Sequence, residues 1–358
     1  MGKIAIIDPA SYALPYDYFY VKSLSSFYKV DFYCSSTKFN YDYVEKLRLL
    51  PNVTVHEFQV SGVNKFRGLI NYIKLLMKVA LSSQKYKAIN LQWSLVTFFE
   101  VIFFFYVRSK LIVTFHNSVP HNKPRKAYRN IKILAHMANK LLFVSNYTRN
   151  DFLDLYGFAK QKCFVLNHGV MPINNEHFHC KIFSSPPRRI VFWGNIKDYK
   201  GVDFLLDALP LFKKKGFSLE VYGKFDENKK ALAQKLYHNG VKVIDGYLNL
   251  DEVEKLLSSN IALILPYKAA SQSGVMYTAL NYNTIILATN CGDPYEFLKE
   301  CDLKELSFKY NDLISLEKSL DYLSVNHEII KERIVSSKEK YNWAFPASVL
   351  NNIFGSRI

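Results

Sequence analysis

The sequence predicts an α/β protein built from two doubly wound parallel sheets. Three observations support this prediction: the chain has 358 residues of which 49% are hydrophobic, short apolar runs alternate with longer segments of helical spacing, and this alternation is interrupted once near the middle. A chain of this length is long enough for two domains of ordinary size. Strands that alternate with helices imply a parallel sheet, so we expect one such sheet in each half.

The strand-like runs form two sets, separated by a joint at residues 167–189 that is rich in Pro, Ser, Asn and His. The first set is Ile4–Ile7, Val30–Cys34, Ala88–Gln92, Leu111–Phe115 and Lys140–Val144, and the second is Arg189–Trp193, Ser218–Tyr222, Val241–Asp245, Ala262–Leu265 and Ile285–Ala288. Intervening segments such as 66–81 and 127–139 have helical spacing. We therefore predict domains at residues 1–170 and 171–340, with a final helical segment, 341–358, that crosses back to the first domain.

Positive charge is concentrated in the first half of the chain. Residues 1–167 contain 23 basic and 9 acidic side chains, a balance of +14, whereas residues 168–358 contain 24 and 22, a balance of +2. A one-sided field favours an anionic partner, which leaves nucleic acid, phospholipid headgroups and phosphorylated substrates open. The sequence has no helix-turn-helix, zinc-finger or aromatic RNA-binding pattern, so we expect no nucleic-acid partner.

Cysteine usage and apolar windows argue against several other classes. The five cysteines are odd in number and include no CxxC pair, so we expect no disulfide framework, no metal site and no cofactor. The N-terminal apolar run is too short for a signal peptide, which favours cytoplasmic residence. The most apolar window, Leu95–Val107, is about half the length that crosses a bilayer and contains Glu100, so it predicts a buried helix.

One stretch after the joint combines a strand, a tight turn, two lysines and a helix start. Ile190–Trp193 is the strand, Gly194 permits the turn, and helical spacing begins at Val202. Lys197 and Lys200 therefore lie at the carboxyl end of a parallel sheet, where open α/β folds bind ligands, beside a partly positive helix N-terminus. This pattern favours phosphate binding, and the alternative is a solvated loop with two surface lysines.

A second stretch also contains a strand, a polar loop and a helix. Ile261–Leu265 is the strand, and Gln272, Ser273 and Gly274 fall where a helix begins. Their backbone N–H groups and the serine hydroxyl are suited to an anion, although a helix cap alone would also explain the serine. Because both stretches leave the same edge of the second sheet, we expect two phosphate-binding loops at one site.

Four short motifs carry a resemblance to a known family. They are Gly-Asn-Ile-Lys-Asp-Tyr-Lys-Gly-Val-Asp at 194–203, Asn-His-Gly-Val at 167–170, Leu-Pro-Tyr-x4-Gln-Ser-Gly at 265–274 and Ala-Thr-Asn-x-Gly-Asp-Pro-Tyr-Glu at 288–296. Together they resemble the signatures of bacterial family-four-like (group 1) glycosyltransferases with the GT-B fold. The resemblance covers nearly the whole chain and is strongest from residue 165 to 296.

The resemblance implies two Rossmann-like domains that face a cleft, with a nucleotide-sugar donor on the C-terminal domain and an acceptor on the N-terminal domain. In this arrangement positive charge neutralises the donor diphosphate as it becomes the leaving group, a task that needs charge in a protected cleft rather than a nucleophile. The implied diphosphate-binding residues are Lys197, Lys200, Gly194, Ser273 and Gly274, and the implied sugar- or acceptor-binding residues are Asn117, His121, Gln272 and Glu296.

The chain also departs from the family pattern. Many members have two glutamates eight residues apart before an Ala-Leu pair, and here those places are Ala270 and Thr278. An Arg that commonly follows the first glycine is replaced by Asn195, with Lys197 as a substitute charge. The chain therefore resembles a variant branch, and retention or inversion at the anomeric carbon is left open.

Candidate catalytic residues lie in the N-terminal half. The strand Leu111–Phe115 runs into a polar loop that contains His116, Asn117 and His121, and this loop resembles the His-bearing loop of the same branch. A histidine has an unperturbed pKa of about 6.5, so His116 suits either a general base or a hydrogen bond to a sugar hydroxyl. Asp17, which follows the first strand, is the other candidate base.

Two segments, 65–78 and 123–132, mix basic and apolar residues at helical spacing. Basic amphipathic helices suit docking to a membrane surface, and ordinary helices with a solvated basic face are the alternative.

We therefore predict a cytoplasmic hexosyltransferase, peripheral on the inner face of the cell membrane. It would contact anionic inner-leaflet lipid and move a sugar from a nucleoside diphosphate sugar to a lipid-linked glycan during bacterial O-antigen, capsule or exopolysaccharide synthesis. The alternatives are a sugar-nucleotide epimerase and a catalytically silent partner.

Overall fold

The chain divides into two compact units. The structure, a computed structural model, describes residues 1–11, 13–37, 40–118, 125–173, 183–270 and 272–355, with only the backbone of 125–127. The first unit contains residues 1–169 and 343–358, and the second contains residues 170–342. Each unit has its own sheet and its own core.

The first unit contains a seven-stranded parallel sheet in the order β3-β2-β1-β4-β5-β6-β7. Its strands are β1 Lys3–Asp8, β2 Lys29–Cys34, β3 Val53–Glu57, β4 Ala88–Leu91, β5 Leu111–Phe115, β6 Lys140–Phe143 and β7 Cys163–Val165. The connecting helices are α1 Leu14–Ser25, α2 Tyr41–Arg48, α3 Lys65–Leu81, α4 Thr97–Phe104, α5 Arg125–Met137 and α6 Asn146–Tyr156. The central strands are buried on both faces, as their unbroken apolar runs require.

The second unit contains a six-stranded parallel sheet in the order β10-β9-β8-β11-β12-β13. Its strands are β8 Arg189–Trp193, β9 Ser218–Tyr222, β10 Lys242–Ile244, β11 Ile261–Leu265, β12 Ile285–Thr289 and β13 Ser307–Phe308. Its helices are α7 Asp203–Asp207, α8 Leu209–Lys214, α9 Lys230–His238, α10 Leu250–Leu257, α11 Gly274–Asn281, α12 Gly292–Glu300, α13 Leu313–Val325 and α14 His327–Lys338. In both sheets the strand order reverses beside the first strand, which is the switch point where doubly wound folds bind ligands.

The last segment of the chain packs in the first unit. It contains the short helix α15, Ala347–Leu350, followed by a π-helical turn at Asn351–Gly355. The ammonium group of Lys140 donates hydrogen bonds to the carbonyl oxygens of Asn352 and Ile353, and the Ser23 hydroxyl donates to the carbonyl of Trp343. These bonds satisfy backbone oxygens that would otherwise be costly to bury.

The prediction of two parallel α/β sheets is confirmed, and the predicted strands are present to within one or two residues at either end. The sequence reading missed β3, β7 and β13, which lie at sheet edges and are short or half exposed. The predicted buried helix at 95–107 is only partly correct. Helix α4 does form there, but Phe98 and Tyr106 are 68% and 90% exposed.

Candidate functional site

In the second unit, the loop that follows β8 lies in backbone contact with the loop that follows β11. Gly201 has a φ of 65°, and a Cβ at this position would lie 1.9 Å from the carbonyl oxygen of Pro266. Only glycine combines this left-handed conformation with so close an approach. The contact brings the two loops predicted to bind phosphate to one place at the carboxyl edge of the sheet.

The helix after the first loop is shorter than the sequence predicts. A continuous helix was expected from Val202, but the structure has a 3-10 turn at Asp198–Lys200, then α7, then α8. The break coincides with Pro210 in the first turn of α8, where a missing N–H is tolerated. A five-residue helix has little dipole to offer, so the positive charge at this edge comes from lysine side chains.

Lys200 lies over an aromatic ring of the second loop. Its Nζ is 3.7 Å from the ring centroid of Tyr267, a distance at which the ring quadrupole attracts the cation. The hydroxyl of Tyr267 is 3.3 Å from the Oγ of Ser273, at the start of α11. One tyrosine therefore links Lys200 with the N-terminus of α11.

Lys200 differs from a neighbouring lysine in lacking a carboxylate partner. The Nζ of Lys268 lies 2.9 Å from Asp203, which also accepts a hydrogen bond from Tyr310. Within the described residues, no carboxylate forms an ion pair with Lys200 or with Lys197. The charges of Lys197 and Lys200 are therefore available to a ligand.

Burial changes the acid strength of Lys200. Loss of water around the ammonium, with a smaller effect of the nearby charge of Lys197, lowers the pKa of Lys200 to about 8. The group is still mostly protonated at pH 7. A desolvated cation without a counter-ion is costly, and a bound anion would remove that cost.

Lys197 and Gly194 flank the same loop. Lys197 is exposed to solvent, and Gly194 has a φ of 133°. A Cβ on Gly194 would lie 3.4 Å from the side chain of Val275 in α11, so the glycine keeps the loop close to that helix. The structure thus places Gly194, Lys197 and Lys200 in one loop beside α11.

Ser273 acts as the N-cap of α11. Its Oγ accepts a hydrogen bond from the backbone N–H of Met276 at 3.3 Å, and the residue is 2% exposed. The alternative reading, a helix cap, is thus what the side chain does. Gln272 and Gly274 are partly exposed beside it, so they are better placed than the Ser273 hydroxyl to contact a ligand.

Glu296 lies on α12 and is partly buried. Its carboxylate forms an ion pair with Lys299 of the same helix at 2.7 Å. The start of α12 is also fixed by backbone contact, because a Cβ on Gly292 would lie 1.8 Å from the carbonyl oxygen of Ala270. Ala270 occupies one of the two places where the glutamates of related sequences would lie, and here it packs against backbone instead.

In the first unit, His116 directly follows β5 and is 3% exposed. Its ring stacks on Trp93 with a centroid distance of 4.4 Å and an interplanar angle of 8°, and Tyr16 contacts its edge at 4.9 Å. Burial, with a smaller effect of His168, lowers the pKa of His116 to about 3. The imidazole is therefore neutral at physiological pH.

His168 is a second neutral histidine at this edge. It belongs to the Asn-His-Gly-Val motif, is 1% exposed and lies 5.0 Å from the ring of Tyr16. Its Nδ1 donates to the carbonyl oxygen of Gly169 at 2.7 Å, and burial lowers the pKa of His168 to about 4. A Cβ on Gly169 would lie 2.6 Å from the indole of Trp343, so the C-terminal segment packs closely against this motif.

A cavity of about 200 Å³ lies beside His116. His116 and Asn117 line it, together with Trp93 and the side chains of α4 and α5 that face it, including Thr97 and Asn130. The lining is a mixture of polar and apolar groups, which is typical of a small-ligand site. Trp93, Gln92 and Asn90 were missed by the sequence reading, although polar residues alternating through the buried run Ala88–Gln92 are a signal that could have found them.

Asp17 does not have the accessibility that a general base needs. It is fully buried in α1 near the equally buried Asp8, and neither of its carboxyl oxygens has a hydrogen-bond partner among the described residues. Burial and the neighbouring charge of Asp8 raise the pKa of Asp17 well above its ordinary value. The predicted base Asp17 is therefore better explained as part of a buried carboxyl pair. His121, the remaining candidate, lies outside the described residues.

The fold and the two edges define a class. One doubly wound unit has an uncompensated lysine at the carboxyl edge of its sheet. The other has neutral histidines at this edge, of which His116 lies beside a cavity. Two such units are the components of a GT-B glycosyltransferase. The comparisons with known proteins agree. A family model described as glycosyl transferases group 1 matches residues 187–321, and one described as glycosyltransferase family 4 matches residues 22–172. The chain belongs to the group 1 glycosyltransferases, which are nucleotide-sugar-dependent enzymes.

Solved structures with the same fold are distant in sequence. HepE from Anabaena, in complex with UDP and glucose, is 14% identical with a TM-score of 0.71, and the match covers 99% of this chain and 97% of HepE. WaaG, a glycosyltransferase involved in lipopolysaccharide biosynthesis, is 13% identical with a TM-score of 0.64, covering 99% and 100%. The lipopolysaccharide outer core galactosyltransferase WaaB is 14% identical with a TM-score of 0.64, covering 98% and 97%. A search of curated proteins finds no match.

Two properties of the described residues bear on the predictions about a membrane span and a metal site. No helix in that part of the chain is long and apolar enough to span a membrane. No group of three or more His, Cys, Asp or Glu side chains there is arranged to hold a metal ion. The absence of a cofactor remains a prediction.

Proposed function

We propose that this glycosyltransferase moves one sugar, a hexose, from a nucleoside diphosphate sugar to a lipid-linked glycan in the assembly of a bacterial envelope polysaccharide. The donor would bind to the second unit and the acceptor to the first. The observation that carries the proposal is the ammonium group of Lys200, which is desolvated and has no carboxylate partner among the described residues.

A diphosphate leaving group explains why such a cation is retained. Negative charge develops on the leaving oxygens as the glycosidic bond breaks, and fixed positive charge in a site shielded from water lowers the energy of that state. Lys200, which is partly buried and lies over the ring of Tyr267, supplies one charge, and the exposed Lys197 adds a second one in the same loop. In this proposal the two lysines, and not a metal ion, compensate the diphosphate.

The acceptor side of the proposal rests on the cavity beside His116. A neutral imidazole and the amide of Asn117 offer hydrogen bonds without charge, which suits the hydroxyl groups of a sugar. The resemblance of the fold to the lipopolysaccharide glycosyltransferases WaaG and WaaB supports an envelope glycan as the acceptor class. O-antigen, capsule and exopolysaccharide fit equally.

An exposed surface of the first unit supports a lipid-linked acceptor. On α3, Phe66, Ile70, Met77 and Leu81 recur at helical spacing and form a stripe outside the buried face, with Phe66 75% and Leu81 80% exposed. Helix α4 packs against α3 and exposes Phe98. Single exposed apolar side chains are ordinary, but a group on adjacent helices indicates an interaction surface.

Basic side chains lie beside this apolar stripe. Lys65, Arg67, Lys74 and Lys78 of α3 are exposed, and α3 contains no acidic residue. Apolar side chains that enter the interface beside cations that contact headgroups are the pattern of a peripheral membrane helix. We therefore propose an anionic membrane surface, the cytoplasmic leaflet, as the occupant of this face.

Vesicle co-sedimentation tests the membrane part. Binding should rise with phosphatidylglycerol content, and it should fall as salt shortens the screening length from about 10 Å at 0.1 M to about 3 Å at 1 M. The double variant Lys74→Glu/Lys78→Glu should bind less, since about 1 kcal/mol is lost per basic residue near the surface. The double variant Phe66→Ser/Phe98→Ser should also bind less, because it removes apolar side chains that enter the interface. Equal binding of both variants and wild type would reject this face, and equal binding to duplex DNA would reject a lipid preference.

A thermal-shift screen tests the donor part. A ligand that binds only the folded state raises its melting temperature, so UDP-, GDP-, CMP- and dTDP-sugars are compared on wild type and Lys200→Ala. We expect one nucleoside diphosphate sugar to stabilise the wild type and to do so less for the variant. Conversion of the sugar nucleotide without any acceptor would favour an epimerase. Binding without turnover on any glycan would favour a silent partner.

A further inference from the structure

A chain of buried amide side chains connects strand β5 to His116. The Nδ2 of Asn90 donates to the carbonyl oxygen of Ile112 at 3.3 Å and to the Oγ1 of Thr114 at 2.8 Å. Asn90 and Gln92 are both fully buried. Buried amides of this kind must direct every donor to an acceptor, so the chain has a direction.

The backbone sets that direction. A carbonyl oxygen only accepts, so the atom of Asn90 that faces Ile112 is the amide nitrogen, and Oδ1 faces the other way. This Oδ1 accepts from the Nε2 of Gln92 at 2.6 Å and from the hydroxyl of Tyr20 at 3.0 Å. The amide nitrogen of Gln92 therefore donates to Asn90, and its Oε1 faces the next residue as a hydrogen-bond acceptor.

The next residue is His116. Its Nε2 lies 3.0 Å from the Oε1 of Gln92, and since that oxygen only accepts, Nε2 must carry the proton. The ring is neutral at physiological pH because burial lowers the pKa of His116 to about 3. Its Nδ1 then carries a lone pair and no proton. This Nδ1 makes no hydrogen bond with the residues described, and His116 lines the cavity of the first unit.

We propose that Asn90 and Gln92 are positioning residues that hold His116 in the Nε2–H tautomer, so that Nδ1 accepts a hydrogen bond from a hydroxyl group of the acceptor glycan. This inference rests on the proposed function. It narrows the ligand group at this place to a hydrogen-bond donor such as a sugar hydroxyl, because a phosphate or carboxylate oxygen has no proton to donate and would face a lone pair.

The lowered pKa of His116 favours one of its two predicted roles, the hydrogen bond to a sugar hydroxyl, over the other, general-base catalysis. A group whose conjugate acid has a pKa of about 3 holds a proton poorly at neutral pH, so it is a weak general base. An oriented hydrogen-bond acceptor does not need to hold the proton. His116 therefore aligns the hydroxyl.

The first test reads the tautomer in the resting protein, with no substrate. Nitrogen-15 chemical shifts of labelled histidine distinguish protonated from unprotonated ring nitrogens, and we expect Nε2–H for His116 in the wild type. Gln92→Met removes the acceptor of that proton and should let the Nδ1–H form appear. Tyr20→Phe is the matched control, since it removes a donor to Asn90 but leaves the path from Ile112 intact. An Nδ1–H signal in the wild type would overturn the proposal.

The second test uses the pH profile of sugar transfer. Gln92→Glu places a carboxylate beside Nε2, which raises the pKa of His116, so protonation of Nδ1 becomes possible in the accessible pH range. Transfer by Gln92→Glu should fall as the pH drops from 8 to 6, whereas the wild type should keep its Nδ1 lone pair throughout. Gln92→Met should lower kcat roughly tenfold at unchanged KM for the nucleotide sugar.

The two tests separate this proposal from the function on which it rests. Identical pH profiles for wild type and Gln92→Glu would reject the role of Nδ1, even if transfer is robust. If the protein shows the expected tautomer but transfers no sugar, the proposed function and the hydroxyl contact are rejected. Only the tautomer assignment is then retained.

Discussion

The two units have the same architecture but differ in the charge that they present at the same edge. In the second unit the carboxyl edge of the sheet presents Lys200, a cation without a carboxylate partner among the described residues. In the first unit the corresponding edge holds the neutral rings of His116 and His168 and the buried carboxyl pair of Asp8 and Asp17, in which the pKa of Asp17 is raised. A doubly wound fold thus fixes where chemistry occurs, and the side chains around each group decide which chemistry it is.

Burial acts on both edges but leaves different charges. It lowers the pKa of Lys200 to about 8, which still leaves the ammonium protonated at pH 7, and it lowers the pKa of His116 to about 3, which leaves the imidazole neutral. One unit is therefore suited to stabilising negative charge and the other to orienting uncharged hydroxyls. The predictions below test this contrast.

The largest effect is expected from His116→Ala. Loss of the group that aligns the acceptor hydroxyl should lower the rate of transfer by at least about a hundredfold, because misplacement of a reacting group costs that much. Nucleotide affinity should change little, since the diphosphate contacts lie in the second unit. The measurement is turnover beside nucleotide affinity, with the exposed His136→Ala as a control. Loss of both properties together would indicate damage to folding.

The next effect is expected from Lys200→Ala. Removal of a charge-assisted contact should cost about 1.5–3 kcal/mol, or roughly 10- to 150-fold in the Kd of a nucleoside diphosphate. Lys268→Ala is the matched control, because Lys268 is already paired with Asp203 and should matter less. Lys197→Ala should act in the same direction as Lys200→Ala, but more weakly. Equal affinities for wild type and Lys200→Ala would remove Lys200 from the donor site.

The contrast also predicts a pH dependence of nucleotide binding. The free enzyme loses the charge of Lys200 as the pH rises through about 8, so affinity should weaken between pH 7 and 9. Lys200→Arg keeps its charge over this range and should bind with little pH dependence. Isothermal titration at several pH values measures both proteins. A slope that persists in Lys200→Arg would assign the titration to another group.

The smallest effect is expected from Asp17→Asn. Because the folded-state pKa of Asp17 is raised, stability is highest below the unfolded value and decreases as the pH rises through the folded value. An amide has no charged form to bury as the pH rises, so the variant should be more stable than the wild type at pH 7–8. It should also keep its transfer activity. Loss of activity in a stable Asp17→Asn protein would restore Asp17 as the base.

Much of the second unit's edge was predictable from the sequence. The strand Ile190–Trp193, the turn at Gly194 and the loop position of Lys200 follow from an apolar β-branched run, a glycine and helical spacing, all of which are local. What the sequence could not show is the pairing of Lys268 with Asp203, which distinguishes Lys268 from the unpaired Lys200. That distinction depends on contacts between residues more than sixty positions apart.

The first unit's edge was less predictable for the same reason. The position of Asp17 after β1 suggested a loop, but α1 already begins at Leu14 and carries Asp17 into the core. The apolar run 95–107 suggested burial, but periodicity cannot show which of its faces a neighbouring element covers. The partners of His116 were also missed, because Asn90 and Gln92 lie on a different strand and meet it only in the folded sheet.

The burial that lowers the pKa of Lys200 also makes its amine a selective target for chemical labelling. At pH 8 about half of an amine with a pKa of about 8 is unprotonated and nucleophilic, whereas an ordinary lysine with a pKa of about 10.4 is less than about 1% unprotonated. A short exposure to an amine-reactive acylating reagent at this pH should therefore modify Lys200 well ahead of exposed lysines such as Lys213. A bound nucleoside diphosphate should block that reaction, so peptide mass spectrometry with and without nucleotide would map occupancy of the donor site before any acceptor is known.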